Sequence, residues 1–306
     1  MAEAVLEHSD TFQPKFQVNM RIIADELERQ GREIRFYGSD QEDGLDGVKL
    51  AFKKGTVKRN YVYLFPAGEA SEWLSDSDLS AAVMVGRTER SVLPHNVAKH
   101  PEPCAEGTFC RIPVIQIAGG ADFFEVFDQL QQIFEKYREW EWALCRALGS
   151  PRPLDDILLA SMEIFRNPMF IHDANFFVVS APRHVEEMPV WEIDPRTGRR
   201  MVPMSIINDF RVDVEYLEGL GEKGVVLFSA EQRGYRILYR NLWNQNRYVG
   251  RILIDEIEGA LAPGDNDLLD YLGRLVETCI LKKELFWVDM GNNAEQFFTS
   301  LLNEEL

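Results

Sequence analysis

The chain has 306 residues, 45% hydrophobic and 27% charged, which is enough for two domains with real cores and excludes a disordered polypeptide. A net charge of −17 and a pI near 4.8 repel phosphate backbones, so the chain by itself is not expected to bind DNA or an anionic membrane. No apolar run reaches the roughly 20 residues of a membrane span, the polar start has no secretory core, and 4 cysteines make no disulfide framework, so a reduced, cytoplasmic protein is expected.

Residues 1–17 read as a loose tail. Residues 18–29 carry Met20, Ile23, Ala24 and Leu27 at helical spacing, with Gly31 as a stop signal. Strand-like runs follow at 34–37, 48–52, 61–65, 81–85 and 112–117, the last closed by Gly119-Gly120. Apolar runs closed by glycine suggest an α/β domain with a mostly buried sheet. Residues 122–148 form the strongest helical pattern. Phe123, Phe127, Leu130, Phe134, Tyr137, Leu144 and Leu148 make one apolar stripe, and Val126, Ile133 and Trp140 widen it. A double stripe can pack on its own domain and still offer a seam to a partner helix, so a homodimer is expected. Asp122 is a candidate N-cap, and Gly149-Ser150-Pro151 stops the helix at a domain boundary.

The second half begins with a helix at 154–165 and strands at 169–172 and 176–180 that turn around Asp173-Ala174-Asn175. A helix is expected over 203–216, strands over 225–229, 235–241 and 248–256, and a long helix from Pro263-Gly264-Asp265 to about residue 285. This order predicts an antiparallel sheet with helices on one side, an α+β sensor architecture.

Several segments in this order resemble bacterial transcription regulators of the purine-catabolism and sugar-diacid (PucR/CdaR-like) type. They are Phe127–Leu144, Asn167–Phe176, Trp191-Glu192-Ile193-Asp194, Asn241 and Leu261-Ala262-Pro263-Gly264-Asp265, within a resemblance spanning residues 48–306. The resemblance implies an α/β N-terminal regulatory domain at 18–149 and an α+β GAF-like sensor domain at 150–290, joined by the long helix. It implies that residues 291–306 start a following segment and that a C-terminal helix-turn-helix makes the DNA contact. It supplies no set of ligand residues.

Chemistry-bearing residues are sparse. His95, His100, Cys104 and Cys110 have zinc-ligand chemistry but match no familiar spacing, and no metal or cofactor is expected. Gly119-Gly120 before a helix matches no phosphate-loop pattern. No nucleophile motif is present, and Cys145 and Cys279 lie in apolar helical contexts that read as packing. The chain is therefore expected not to be an enzyme. The second domain is rich in aromatic residues, which line small-molecule pockets as often as they fill cores. His172, Phe177, Trp191, Glu192, Phe210, Tyr239 and Asn241 are the candidate ligand-binding residues, with Trp191 in a loop that closes over the site. The expected function is effector sensing and dimerisation for a transcription regulator, with a small-molecule effector as partner. The alternatives are a metabolite-processing α/β enzyme and a ligand-free dimerisation scaffold.

Overall fold

The computed structural model describes residues 15–38, 44–51, 57–74, 78–86 and 112–283. Two compact units divide them. The first takes Gln17–Gly149 and Ala260–Asn266; the second takes Ser150–Gly259, residues 267–283 and the short segment ending at Phe16. The predicted clusters around His95 and Cys104, and residues 291–306, lie outside the described residues.

The first unit opens with α1 (Met20–Arg29), which starts where Asn19 accepts a hydrogen bond from the Ile22 amide at 2.9 Å. Next come β1 (Ile34–Tyr37), β2 (Gly47–Leu50), β3 (Tyr61–Pro66), the short α2 (Ala70–Trp73), β4 (Ala81–Val85) and β5 (Val114–Ile117). They form one sheet in the order β1-β5-β4-β3-β2, parallel except for β1. Alternation along β3 sends Tyr63 and Phe65 to one face, where both rings stack on Trp73 of α2 at 6.1 and 6.2 Å. α3 (Phe123–Leu148) begins at Asp122, which accepts from the Glu125 amide at 2.9 Å.

Most of both stripes of α3 is buried within the one chain, Leu130, Phe134, Tyr137 and Leu144 with Val126, Ile133 and Trp140, while Phe123, Phe127 and Leu148 are half-buried. The second stripe is therefore not the free seam the sequence suggests, and the exposed large hydrophobic side chains of α3 are Phe124 and Trp142. Cys145 is exposed while Cys279 is buried, so packing accounts for only one of the two thiols.

A charged cluster sits inside the first unit. Glu26 accepts from Arg29, Lys136 and Tyr137 at 3.1, 2.8 and 3.0 Å, and Arg29 also grips both oxygens of Asp265 at 3.2 and 3.1 Å. These three donors outweigh burial and hold the Glu26 carboxyl below its usual range.

The second unit is built on an antiparallel sheet of β10 (Val225–Phe228), β11 (Ile237–Asn244), β12 (Arg247–Asp255), β6 (Met169–Asp173) and β7 (Val178–Ser180), in that order. α4 (Pro153–Phe165) and α7 (Asp265–Lys283) cover one face, and Arg240 of β11 reaches α7 to pair with Asp270 and Glu277. The other face is covered by a two-strand hairpin, β8 (Glu192–Ile193) with β9 (Arg200–Met201), and by α5 (Met204–Phe210) and α6 (Val214–Glu218). Helices thus lie on both sides of the sheet, not on one as expected.

Two local departures explain this. The helix predicted over 203–216 breaks in two because Asp213 accepts from the Tyr216 amide at 2.8 Å and starts a new helix. The Trp191 segment is not a plain loop: Asp194 accepts from the amide and hydroxyl of Thr197 at 3.0 and 2.6 Å, which folds β8 back onto β9. The tail is also ordered at its end, where Phe16 packs on Tyr271 with ring centroids 5.0 Å apart. Among the described residues no helix is long and apolar enough to cross a membrane.

Candidate functional site

Cross-strand partners in an antiparallel sheet share a face. Tyr239 pairs with Leu253 and Leu253 with Phe170, while Asn241 pairs with Arg251 and Arg251 with His172. Two rows of side chains, Tyr239-Leu253-Phe170 and Asn241-Arg251-His172, therefore point together to the face covered by α5, α6 and the β8–β9 hairpin. A bulge adds to them. The register slips between Leu242 and Trp243, leaving Val249 without a partner, so Tyr248 lies opposite Trp243 and close enough to influence the Arg251 guanidinium.

The cover is aromatic. Trp191 lies 5.0 Å from the Phe170 ring and 5.9 Å from His184. Phe210 stacks on Tyr216 at 4.6 Å and meets the edge of Phe228 at 5.7 Å. The His172 ring stacks on Phe176 at 5.1 Å, and its Nδ1 donates to the Asp173 carbonyl at 2.8 Å. Burial, reinforced by the nearby Arg251 charge, pushes the His172 pKa down to about 3, so the imidazole is neutral.

Arg251 is the centre of the face. It is 2% exposed, its Nε donates to Asn241 Oδ1 at 2.8 Å, and its guanidinium carbon lies 3.9 Å from the Tyr239 ring and 4.7 Å from the Tyr216 ring. Arg251 Nη2, Tyr216 Oη, Tyr239 Oη and Trp191 Nε1 are buried and have no hydrogen-bond partner.

Five of the seven residues chosen from sequence, His172, Trp191, Phe210, Tyr239 and Asn241, have side chains on this face or packed against it. Their roles differ. The Asn241 amide is committed to structure: Nδ2 donates to the carbonyls of Gly219, Leu220 and Glu222 at 2.8, 3.2 and 2.9 Å, and Oδ1 holds Arg251. Phe177 and Glu192 lie elsewhere. Phe177 packs under the Arg199 guanidinium at 4.2 Å, and exposed Glu192 accepts from the Met204 amide at 3.2 Å, at the start of α5. Sequence reading missed Arg251, Tyr216 and Tyr248. The visible signal for Arg251 was a lone charge inside the apolar run of residues 248–254, at a position a core strand fills with an aliphatic residue.

Gly219 shows how closely the cover approaches. A Cβ there would lie 2.0 Å from Tyr239 Oη, and Tyr239 is itself buried. Gly219→Ala is expected to cost about 1–3 kcal/mol by overpacking, and Tyr239→Phe, which removes the obstructing oxygen, is expected to restore most of it. Denaturant midpoints of the two single variants and the double variant check this. Simple additivity of the two single effects would show that the clash is not the cause.

No protein-family model and no curated protein matches this chain. Solved structures do. The cofactor-binding GAF domain of the nutrient sensor CodY from Clostridium difficile aligns at 13% identity and TM-score 0.31, over 48% of this chain and 96% of that one. Free methionine-R-sulfoxide reductase from Neisseria meningitidis, solved with its substrate, aligns at 15% identity and TM-score 0.33, over 49% and 92%. The DhaR(N)–DhaL complex of E. coli aligns at 16% identity and TM-score 0.29, over 56% of each chain. The presence of a reductase in this set corrects the expectation that the chain is not an enzyme, and that reading is withdrawn.

Proposed function

We propose that the chain is the effector-sensing region of a bacterial transcription regulator, and that its second unit holds a small metabolite against the face bearing His172, Phe170, Tyr239 and Arg251. One observation carries this reading. Buried polar groups are nearly always satisfied, yet Arg251 Nη2, Tyr216 Oη, Tyr239 Oη and Trp191 Nε1 are not. Partnerless polar atoms among aromatic walls are the composition of a small-molecule pocket, in which a few polar groups orient an otherwise apolar contact. The sequence resemblance to purine-catabolism and sugar-diacid regulators supports the regulatory role. The acidic surface fits a division in which DNA contact lies outside these residues. Homodimerisation belongs to the same reading, with light scattering of the full chain as its check.

The test is a thermal-shift screen of small metabolites against the full chain. A ligand at about a hundred times its Kd adds roughly 2.7 kcal/mol to the folded state, a rise of several degrees in Tm. Trp191→Ala is expected to weaken the responding ligand by about tenfold or more, because an aromatic wall carries much of the contact energy of such a site. Unchanged affinity in that variant, or a library without a single responder, defeats the reading.

A further inference from the structure

Two arginines are buried in the second sheet, and they are paired differently. Arg240, on the face toward α7, meets the carboxylates of Asp270 and Glu277 at 2.9 and 2.8 Å. Arg251, on the opposite face, meets no carboxylate among the described residues; its contacts include Asn241 and the rings of Tyr216 and Tyr239. Removing a guanidinium from water is strongly unfavourable unless an anion and hydrogen bonds replace the lost hydration. Two tyrosine rings and the Tyr248 hydroxyl, none of them an anion, replace only part of it. The chain carries a large excess of acidic groups, so the absence of a carboxylate at this position does not reflect a shortage of them.

We propose that Arg251 and the Tyr216 hydroxyl receive the carboxylate of a small organic acid, whose apolar or aromatic body lies against Phe170, Trp191 and Phe210. This rests on the reading of the face as a ligand site and names the ligand's chemistry. Arg251 Nη2 and Tyr216 Oη make no hydrogen bond of good geometry, lie close enough to influence each other, and can both donate, so together they offer two donors to the oxygens of one carboxylate. One guanidinium neutralises one negative charge. The neighbouring His172 is neutral and adds no second. A phosphate monoester near its dianion would leave about one negative charge buried and unpaired, so the charge balance selects a carboxylate. Asn241 fixes the guanidinium in the plane it needs, through Nε, while leaving Nη2 for the ligand.

The experiment measures binding to the full chain by calorimetry and by tryptophan fluorescence. The probes are acetate, benzoate, phenylacetate and phenylpropionate, each beside its primary amide. At least one acid is expected to bind about ten- to a hundredfold more tightly than its amide, the usual margin of a charge-assisted hydrogen bond over a neutral one. Arg251→Met is expected to erase that margin without lowering Tm, since it removes a buried charge that no carboxylate balances. Arg251→Lys and Tyr216→Phe guard against misfolding in the methionine variant, and each is expected to narrow the margin by about tenfold. Acids and amides that bind equally, or an acid preference that survives Arg251→Met, would overturn the assignment. So would a neutral responder in the metabolite screen when no acid binds, and that result would leave the sensing role standing. Failure of every acid, every amide and every library member would remove both.

Discussion

Asn167→Ala is expected to destabilise the second unit by about 3–5 kcal/mol. Asn167 is fully buried and spends every polar valence on backbone. Oδ1 accepts from the amides of Ile257, Glu258 and Gly259 at 3.0, 2.9 and 3.1 Å, and Nδ2 donates to the carbonyls of Phe165 and Gly259 at 3.1 and 2.8 Å. The residue is aimed there by Arg166, whose φ of 57° ends α4 in a left-handed turn. One amide therefore fastens the exit of β12 to the entry of β6. Alanine leaves several donors and acceptors without partners, each costing about 1–3 kcal/mol where water cannot reach. Urea unfolding should show the midpoint fall with little change in slope. Asn167→Asp keeps the accepted bonds and should lose less. An alanine variant within about 1 kcal/mol of the parent would show that the turn holds by other means.

Asp255→Asn is expected to act in the opposite direction, and only above mildly acidic pH. Asp255 is 1% exposed, with the Tyr235 hydroxyl at a long 3.5 Å as its hydrogen-bond donor. Burial pushes its pKa up to about 7 from 3.8, against the partial relief of the Arg233 charge and the Tyr235 hydrogen bond. The sign follows from proton counts. Between pH 4 and 7 the unfolded carboxyl has lost its proton while the folded one keeps it, so stability falls as pH rises through that window. At about 1.4 kcal/mol per pH unit the full loss is on the order of 4 kcal/mol, complete near pH 7. The asparagine variant lacks this titration and should be more stable than the parent at pH 8, with a flatter profile below it. Asp25 of the first unit, raised by burial to about 6, adds a slope of the same sign that the substitution leaves in place. Parallel profiles for parent and variant would refute the assignment.

Strands whose apolar runs end in glycine or a turn are legible in the sequence. The bounds expected for β1 and β4 coincide with those observed, and α3 begins at its expected cap and ends at its expected stop. What escaped was set by side-chain hydrogen bonds between residues close in sequence. Asp213 splits one expected helix into α5 and α6, and Asp194 with Thr197 makes a hairpin from what reads as a loop. Periodicity carries no trace of either bond. The aromatic members of the candidate face were found because composition advertises them, although composition does not separate Phe177, which packs under Arg199, from Phe210, which lies against Tyr216. Arg251 escaped because a charge within an apolar strand reads as an interruption, and the pairing of β11 with β12 is needed to show which side it faces.

The unpaired Val249 has a consequence for how this chain can change over evolutionary time. Because side chains alternate with a period of two, the extra residue inverts the facing of everything between it and the hairpin turn. Losing Val249 and the bulge together would leave Tyr248 opposite Trp243 with its facing unchanged, whereas ironing out the bulge with the residue kept would set Val249 opposite Trp243 and turn Tyr248 to the side occupied by α7. Insertions at Gln245-Asn246, beyond the last paired residues, carry no such inversion. Length variation in this hairpin should therefore gather at its tip or fall on the bulged residue itself, while an insertion between Tyr248 and Arg251 that is not taken up by a bulge is absent from chains that keep the same pocket.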